Sequence, residues 1–318
     1  MVRGDADQGS HRGRAGRSRA GRDEGGLSAG GLLTANGASD GQTIDGQALA
    51  DFERRYGDVR LGPVVVVIAA YDEADNIAAV VDEIPRVACG LTVSTLVVDD
   101  GSRDGTADVA RARGAYTCVP AHNRGQGAAL RLGYRLARER GADYVVTLDA
   151  DGQYDPAEIP LVLDPVVRGV ADFVTGSRRL GRAETTDDLR RFGVVVFAAL
   201  VSALTRTRLT DTSFGLRAMR AEVTAAVTLQ QPQYQAAELL IGVLARGYRV
   251  REVATTMRQR SSGTSKKGGN LLYGVRYARV VMGTWLRERR AARATPAPVV
   301  ATEVTSGEAP APDASSGR

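Results

Sequence analysis

The central part of the chain alternates two kinds of apolar pattern. Pro63-Val-Val-Val-Val-Ile-Ala-Ala70 is a continuous apolar run, the mark of a strand buried on both faces. Ile77, Val80, Val81 and Ile84 then recur at helical spacing, with Asp75 available as an N-cap. A second buried strand over Val93–Val98 ends in Asp99-Asp100-Gly101-Ser102, and Asp104 is placed to cap a helix that stops at Gly114. Tyr116–Pro120 predicts a short strand and Gly127–Arg140 a helix closed by Gly141. Tyr144–Leu148 predicts another buried strand, ending in Asp149-Ala150-Asp151. Pro156 starts a helix toward Gly169, Phe173–Gly176 is the next strand, and Ala236–Arg246 is a helix. Such alternation predicts an α/β fold with a doubly wound, mostly parallel sheet flanked by helices. Ligands in these sheets bind beyond the carboxyl ends of strands. Every unusual polar cluster here sits at such an end.

Composition adds the boundaries. The 318 residues are 43% apolar and 25% charged, with a net charge of +5, which excludes wholesale disorder and collagen-like repeats. Twelve of the 37 glycines fall in the first 46 residues, a stretch of Gly, Arg, Ser and Asp that cannot offset its own ordering entropy. Residues 1–57 are therefore expected to be a disordered tail, 58–269 the folded domain, 270–290 an amphipathic helix and 291–318 a second disordered tail. The longest apolar run, Val194–Leu204, falls short of the roughly 20 residues that span a bilayer. The arginine-bearing N-terminus lacks the apolar core of a secretory signal. Cys89 and Cys118 have no metal-ligand spacing and suit a reducing cytoplasm, and His11 and His122 are too few for a histidine metal site. Of 42 basic residues 40 are dispersed arginines, so no nucleic-acid partner is expected.

Three polar clusters carry chemistry. In Leu148-Asp-Ala-Asp-Gly-Gln153, the carboxylates of Asp149 and Asp151 can share a hard divalent cation, with Gln153 adding a neutral oxygen. All-oxygen ligation suits Mg²⁺ or Mn²⁺ rather than zinc. Asp99 can accept hydrogen bonds from a base or ribose while Gly101 allows close backbone approach, and the carboxylates after Tyr71 can contact a nucleotide. The same residues also suit capped turns and the positive ends of helices. The chain's two lysines are adjacent in Gly263-Thr-Ser-Lys-Lys-Gly268, where a compact ammonium on a glycine-flanked loop suits a phosphate that must later leave.

In this order the motifs resemble the family 2 glycosyltransferases of the GT-A fold, and among them the polyprenyl-phosphate sugar transferases of the dolichol-phosphate mannosyltransferase type. The resemblance covers about residues 62–268. It implies donor contacts from Tyr71 and Glu73 of Tyr71-Asp-Glu73 and from Asp99 and Asp100 of the Asp-Asp-Gly-Ser element. Asn123-Arg-Gly-Gln-Gly127 resembles the family's Asn-x-Gly-x-Gly segment, and Asp149, Asp151 and Gln153 fall on its metal ligands. Arg178 of Gly176-Ser-Arg178 falls beside the donor, and Asp211, Gly215 and Arg217 fall on an acceptor-side element. Arg260, Ser265 and Lys266 match a loop near the diphosphate. Asp72 replaces the family's usual Asn, Met257 stands where an aromatic is common, and the transmembrane helices of many relatives are absent from this sequence.

The implied reaction is an inverting sugar transfer from a nucleotide-diphosphate sugar to a polyprenyl phosphate, with Asp151, Asp211, Arg260 and Lys266 as its catalytic residues. A lipid phosphate, with a second pKa near ~6, needs no strong base. A hydroxyl acceptor would need one, with Asp211 the first candidate and Glu238, on an otherwise solvated helix position, the second. A non-catalytic nucleotide-sugar-binding relative is a further alternative. The expected location is cytoplasmic, peripheral on the inner face of the plasma membrane. Attachment would be through an amphipathic helix bearing Trp285 and Leu286 amid arginines, or through a small membrane subunit.

Overall fold

The apolar run at 64–70 becomes a strand buried on both sides. Val64, Val66 and Ile68 join one hydrophobic cluster, and Val65 and Val67 the other, as the two-residue period of a strand requires. The computed structural model describes residues 33–184, 188–231, 235–259 and 271–294. The elements in chain order are α1 (Leu33–Tyr56), β1 (Val64–Ala70), α2 (Ala74–Glu83), β2 (Val87–Ala88), β3 (Leu91–Asp99), α3 (Thr106–Ala112), β4 (Tyr116–Cys118), α4 (Gln126–Glu139) and β5 (Tyr144–Asp149). A 3₁₀ turn (Pro156–Glu158) leads into α5 (Ile159–Val167), followed by β6 (Phe173–Ala183), α6 (Asp188–Thr205), β7 (Arg217–Arg220), α7 (Ala221–Ala226), α8 (Gln235–Ala245), β8 (Val250–Met257) and α9 (Leu271–Ala294). The chain divides into two units, Met1–Gly41 and Gln42–Arg318; residues 33–41 of the first are helical, and the sheet lies in the second.

The sheet is mixed. Its strand order is β2-β3-β1-β5-β7-β6-β8, with β4 also paired to β3. From β4 to β5 the pairings run parallel, as the alternating pattern predicts. β7 then enters antiparallel to both β5 and β6, and β8 lies parallel to β6. One face is covered by α2, α3 and α5, the other by α1, α4 and the helices from α6 to α9.

The N-terminal boundary is corrected. Residues 42–56, expected in a disordered tail, are helical, and Ala48 and Phe52 are only 2% and 1% exposed. The Tyr56 hydroxyl accepts from Thr117 N at 3.1 Å, and Tyr56 and Tyr116 meet edge-on at 5.2 Å between ring centroids. Only a sparse stripe (Ala48, Leu49, Phe52, Tyr56) makes this contact, so the segment's composition looks like a tail while its spacing fits an edge strand in need of cover. The remaining tail residues, 1–32 and 295–318, lie outside the described residues.

The helix expected at 270–290 is present as α9, but its face differs. Tyr277, Val281, Thr284 and Glu288 point inward and are buried. Trp285, expected at a lipid surface, packs on the core and donates Nε1–H to the Leu204 carbonyl at 3.0 Å. Spacing gave the helix; it could not say which side met the core. Glu238 is likewise no solvated position. It is 0% exposed, and its carboxylate accepts from Gln230 N, Gln231 N and Arg287 Nη2 at 2.8–3.0 Å.

Candidate functional site

The parallel register brings three polar strand ends together. Ala70 of β1 sits opposite Asp99 of β3, and Ala69 opposite Asp149 of β5. The turns after these strands, 71–73, 100–102 and 150–153, therefore share one edge of the sheet. Tyr71 is half-buried there.

The first group of carboxylates is tied to its own backbone. Asp99 is 3% exposed; Oδ1 accepts from Ser102 N at 2.9 Å and Oδ2 from Ala107 N at 3.1 Å. Asp100 is also buried and accepts from Arg124 N at 3.0 Å and Gly125 N at 2.6 Å. Burial pushes its carboxyl above the ordinary range, against the opposing pull of those amides and of the Arg124 charge. Gly101, at φ +80°, permits the close approach, since a Cβ there would lie 3.0 Å from Asn123 N. Asp72 lies in the left-handed region at φ 50°, where the family's usual Asn is also well tolerated. It accepts from Arg103 N, while Glu73 accepts from Asn76 Nδ2 at 2.7 Å. Asp104, not Asp75, holds the helix starts: it accepts from Thr106 N and Ala74 N, both at 3.0 Å. Although burial acts the other way, these bonds keep the Asp104 carboxyl below its usual value. The structure thus places Asp99 and Asp100 as loop anchors.

The second group is more open. Asp149 and Asp151 are both half-exposed. Asp149 Oδ1 accepts from Gln126 Nε2 at 2.9 Å, and its Oδ2 lies where a Cβ on Gly215 would come within 2.9 Å. Asp151 Oδ1 accepts from Gln153 N at 3.1 Å, and Arg258 N donates to the Gln153 carbonyl at 2.8 Å, which ties the turn to the end of β8. Among the described residues no three His, Cys, Asp or Glu side chains converge to cage an ion. Two carboxylates beside an amide instead fit Mg²⁺ or Mn²⁺, which take one or two protein carboxylates and complete an octahedron with phosphate oxygens and water.

Arg178 and Asp211 meet, but as a pair with each other. Arg178 Nε donates to Asp211 Oδ2 at 2.6 Å and Nη2 to Ser213 Oγ at 3.1 Å, with the guanidinium 5.5 Å from the Phe214 ring centroid. The two side chains are 8% and 0% exposed. Asp211 as a general base is therefore corrected, because its carboxylate is buried and engaged by Arg178, with no face open to an acceptor. Arg178 as an open donor contact is corrected for the same reason.

Arg217 lies deeper than expected. It is 4% exposed, donates Nη1–H to the Ala236 carbonyl at 3.0 Å, and has no partner for Nε or Nη2 among the described residues. With Gln126, Tyr134, Asp149 and Gln235 it lines a cavity of about 40 Å³, room for a water or two behind Asp149. Burial lowers its pKa from the ordinary arginine value. It sits behind Asp149, on the wall of the same small cavity. Arg260, Ser265 and Lys266 lie outside the described residues.

The supporting roles of three residues were missed. Gln126 holds Asp149, and Glu238 holds the 230–231 backbone. The Glu252 carboxylate accepts from Thr210 N and Asp211 N, both at 2.8 Å. Gln126 sat within a quoted motif; Glu252 carried no signal beyond its place in an alternating strand.

Residues 65–227 match the family described as Glycosyl transferase family 2. A dolichyl-phosphate hexose transferase of Haloferax volcanii is 35% identical over 201 residues, covering 63% of this chain and 85% of that protein. An undecaprenyl-phosphate mannosyltransferase of Micrococcus luteus is 30% identical over 224 residues, covering 66% and 89% respectively. Among solved structures, glucosyl-3-phosphoglycerate synthase from Mycobacterium tuberculosis in complex with Mn²⁺, UDP and phosphoglyceric acid aligns with a TM-score of 0.56 and 22% identity, over 77% of this chain and 82% of that one. That likeness shows a shared fold, the GT-A arrangement that the motifs implied. The family match spans half of the chain and the named relatives are covered over most of their length, so this protein belongs to glycosyl transferase family 2 and is a glycosyltransferase.

Proposed function

We propose that this enzyme transfers a hexose from a nucleotide-diphosphate sugar to a polyprenyl phosphate, with Mg²⁺ or Mn²⁺ held by Asp149, Asp151 and Gln153. The observation that carries the reading is the half-exposed pair Asp149 and Asp151 at a strand end, a donor set matched to a hard ion shared with a diphosphate. The relatives named for dolichyl- and undecaprenyl-phosphate support the acceptor class, and the solved Mn²⁺–UDP complex supports the donor class. A divalent ion there offsets the charge that builds on the departing nucleoside diphosphate.

In the reaction an oxygen of the acceptor phosphate attacks the anomeric carbon and forms the new C–O bond. The bond from that carbon to the diphosphate breaks, and its electron pair leaves with the diphosphate. Arg260 and Lys266 are assigned to the leaving diphosphate by motif. The remaining roles follow from placement: Asp99 and Asp100 shape the donor loop, and Gln126 orients Asp149. Both sequence candidates for a base, Asp211 and Glu238, are buried and hydrogen-bonded to arginines. A phosphate acceptor, already anionic near neutral pH, fits that arrangement better than a hydroxyl.

A lipid acceptor also fits the outward face of α6 and α9. Val195, Val196, Met282 and Leu286 are exposed on these helices, as are Arg279, Arg289 and Arg290 of α9. The one acid in 271–294, Glu288, is buried against Arg246 and Arg287. No helix among the described residues is long and apolar enough to cross a membrane. An apolar and cationic face of this kind suits peripheral attachment to an anionic leaflet on the cytoplasmic side, directly or beside a small membrane subunit.

The test offers UDP-, GDP- and ADP-sugars with Mn²⁺ to the full chain, together with a short polyprenyl phosphate or the matching polyprenol. A glycosylated lipid phosphate, detected by mass spectrometry and abolished by chelator, is the expected product. Glycosylation of the polyprenol alone would move the enzyme to the hydroxyl-acceptor class, and no transfer to any acceptor, with donor still bound, would favour a non-catalytic relative.

A further inference from the structure

We propose that Asp45, on the helix that precedes the family match, is a positioning residue for the donor-side loop 123–126. The inference rests on the metal and donor reading above. Three successive residues of that loop, 124–126, are spent on carboxylates from three different elements. The Arg124 guanidinium pairs with Asp45 of α1. The backbone N–H groups of Arg124 and Gly125 grip Asp100 after β3. The Gln126 amide holds Asp149 of β5. A displacement at Arg124 is therefore felt at both strand-end carboxylates.

α1 is itself fixed close to this loop. Cys118 Sγ, at the end of β4, donates to the Ala48 carbonyl at 3.7 Å, and Tyr56 bonds Thr117 at the neighbouring position. β4 leads directly into the loop, so the helix holds both the strand and the side chain that follows it. The paired side chains are 20% and 30% exposed, more shielded than the usual surface ion pair, which raises the worth of their contact. Without Asp45 the half-buried Arg124 guanidinium loses that counter-charge. Asp100 is the carboxylate that already feels the Arg124 charge, and turning toward it would pull against the two amide bonds that set the loop. The match to the family covers residues 65–227, so Asp45 lies outside the matched region and its partner Arg124 within it.

The test uses the full chain as wild type, Asp45→Asn, Asp45→Glu and Arg124→Lys. Calorimetry first titrates wild type with Mn²⁺ plus UDP, GDP or ADP, and the tightest pair is carried to the variants. Asp45→Asn should weaken that binding by about five- to tenfold, the scale of a charge-assisted hydrogen bond partly exposed to water. Asp45→Glu should recover most of it, and KM for the donor should rise more than kcat falls. Amide exchange at 119–126 should quicken in Asp45→Asn in metal-free protein, a readout independent of activity. Binding and exchange within twofold of wild type would overturn the proposal, as would a lowered Tm with unchanged binding, which would make the pair merely structural. Failure of wild type to bind any Mn²⁺–nucleotide pair would overturn the metal reading, and this inference with it. Normal wild-type binding with unchanged variants would overturn this inference alone.

Discussion

Two strand ends in this protein carry nearly the same letters and do different work. After β3, Asp99-Asp100 is buried, and its oxygens accept backbone N–H groups from residues 102, 107, 124 and 125. After β5, Asp149-Ala-Asp151 is half-exposed, steadied by the Gln126 side chain and one turn amide. What differs is the surroundings: the 123–125 loop folds back onto the first pair, whereas the second is partly exposed and Asp149 lines a small cavity. The buried carboxylates bonded to several amides organise the chain; the more exposed pair is the one proposed to hold the ion.

Breaking the second pair should have the largest effect. Asp149→Asn should cut sugar transfer by about a thousandfold, the several kcal/mol that an electrophilic ion supplies. Its Tm should stay within about 2 °C of wild type, since no core is disturbed; a large fall in Tm would make Asp149 another scaffold residue. Gly215→Ala approaches the same carboxylate from behind. The added Cβ would sit 2.5 Å from Tyr154 Cε2 and 2.9 Å from Asp149 Oδ2, with no room to yield in the buried ring. Roughly a ten- to hundredfold loss of metal affinity is expected, as for other residues that orient a ligand. Unchanged Mn²⁺ binding in calorimetry would refute it.

The first pair should answer in stability instead. Asp100→Ala strands the Arg124 and Gly125 amides at a cost of roughly 2–4 kcal/mol. At about 2–4 °C per kcal/mol for a domain of this size, Tm should fall by roughly 4–16 °C. Loss of activity at unchanged Tm would move Asp100 to the ligand-holding class. pH gives the smallest and sharpest contrast. Burial raises the folded Asp100 carboxyl above its ordinary 3.8, so its contribution is full below that value and is lost as pH rises through the folded value. Asp104 is depressed, so its contribution is present above its ordinary value and is lost as pH falls through the folded one. Urea midpoints should show wild type losing ground to Asp100→Asn as pH rises above 3.8, and losing ground to Asp104→Asn as pH falls below 3.8. Parallel curves for the two variants would contradict this.

The strand ends were legible because a strand's own residues announce it and parallel topology gathers the carboxyl ends on one edge. Asp149, Asp151 and the Asp99 turn needed nothing further. The pairing of Arg178 with Asp211 was not legible, since it depends on β7 lying beside β6 and on burial that no local pattern reports. Glu238 read as solvated because its donors, the 230–231 amides and Arg287, come from separate segments. The helix at 42–56 was missed because its stability comes from tertiary contact; its own composition argues against it.

The placement of β7 has a consequence in time. β5 is complete at Asp149, yet its partner on one side is Arg217–Arg220, and β6 reaches the sheet only through that same strand. During synthesis residues 150–216 must emerge first, which takes roughly 3–13 s at typical translation rates. For that interval the parallel half, whose strands have all been made by Asp149, can assemble, while the outer edge of Tyr144–Asp149 waits unpaired in the nascent chain. That edge is the point at which a growing molecule is most open to pairing with the wrong strand.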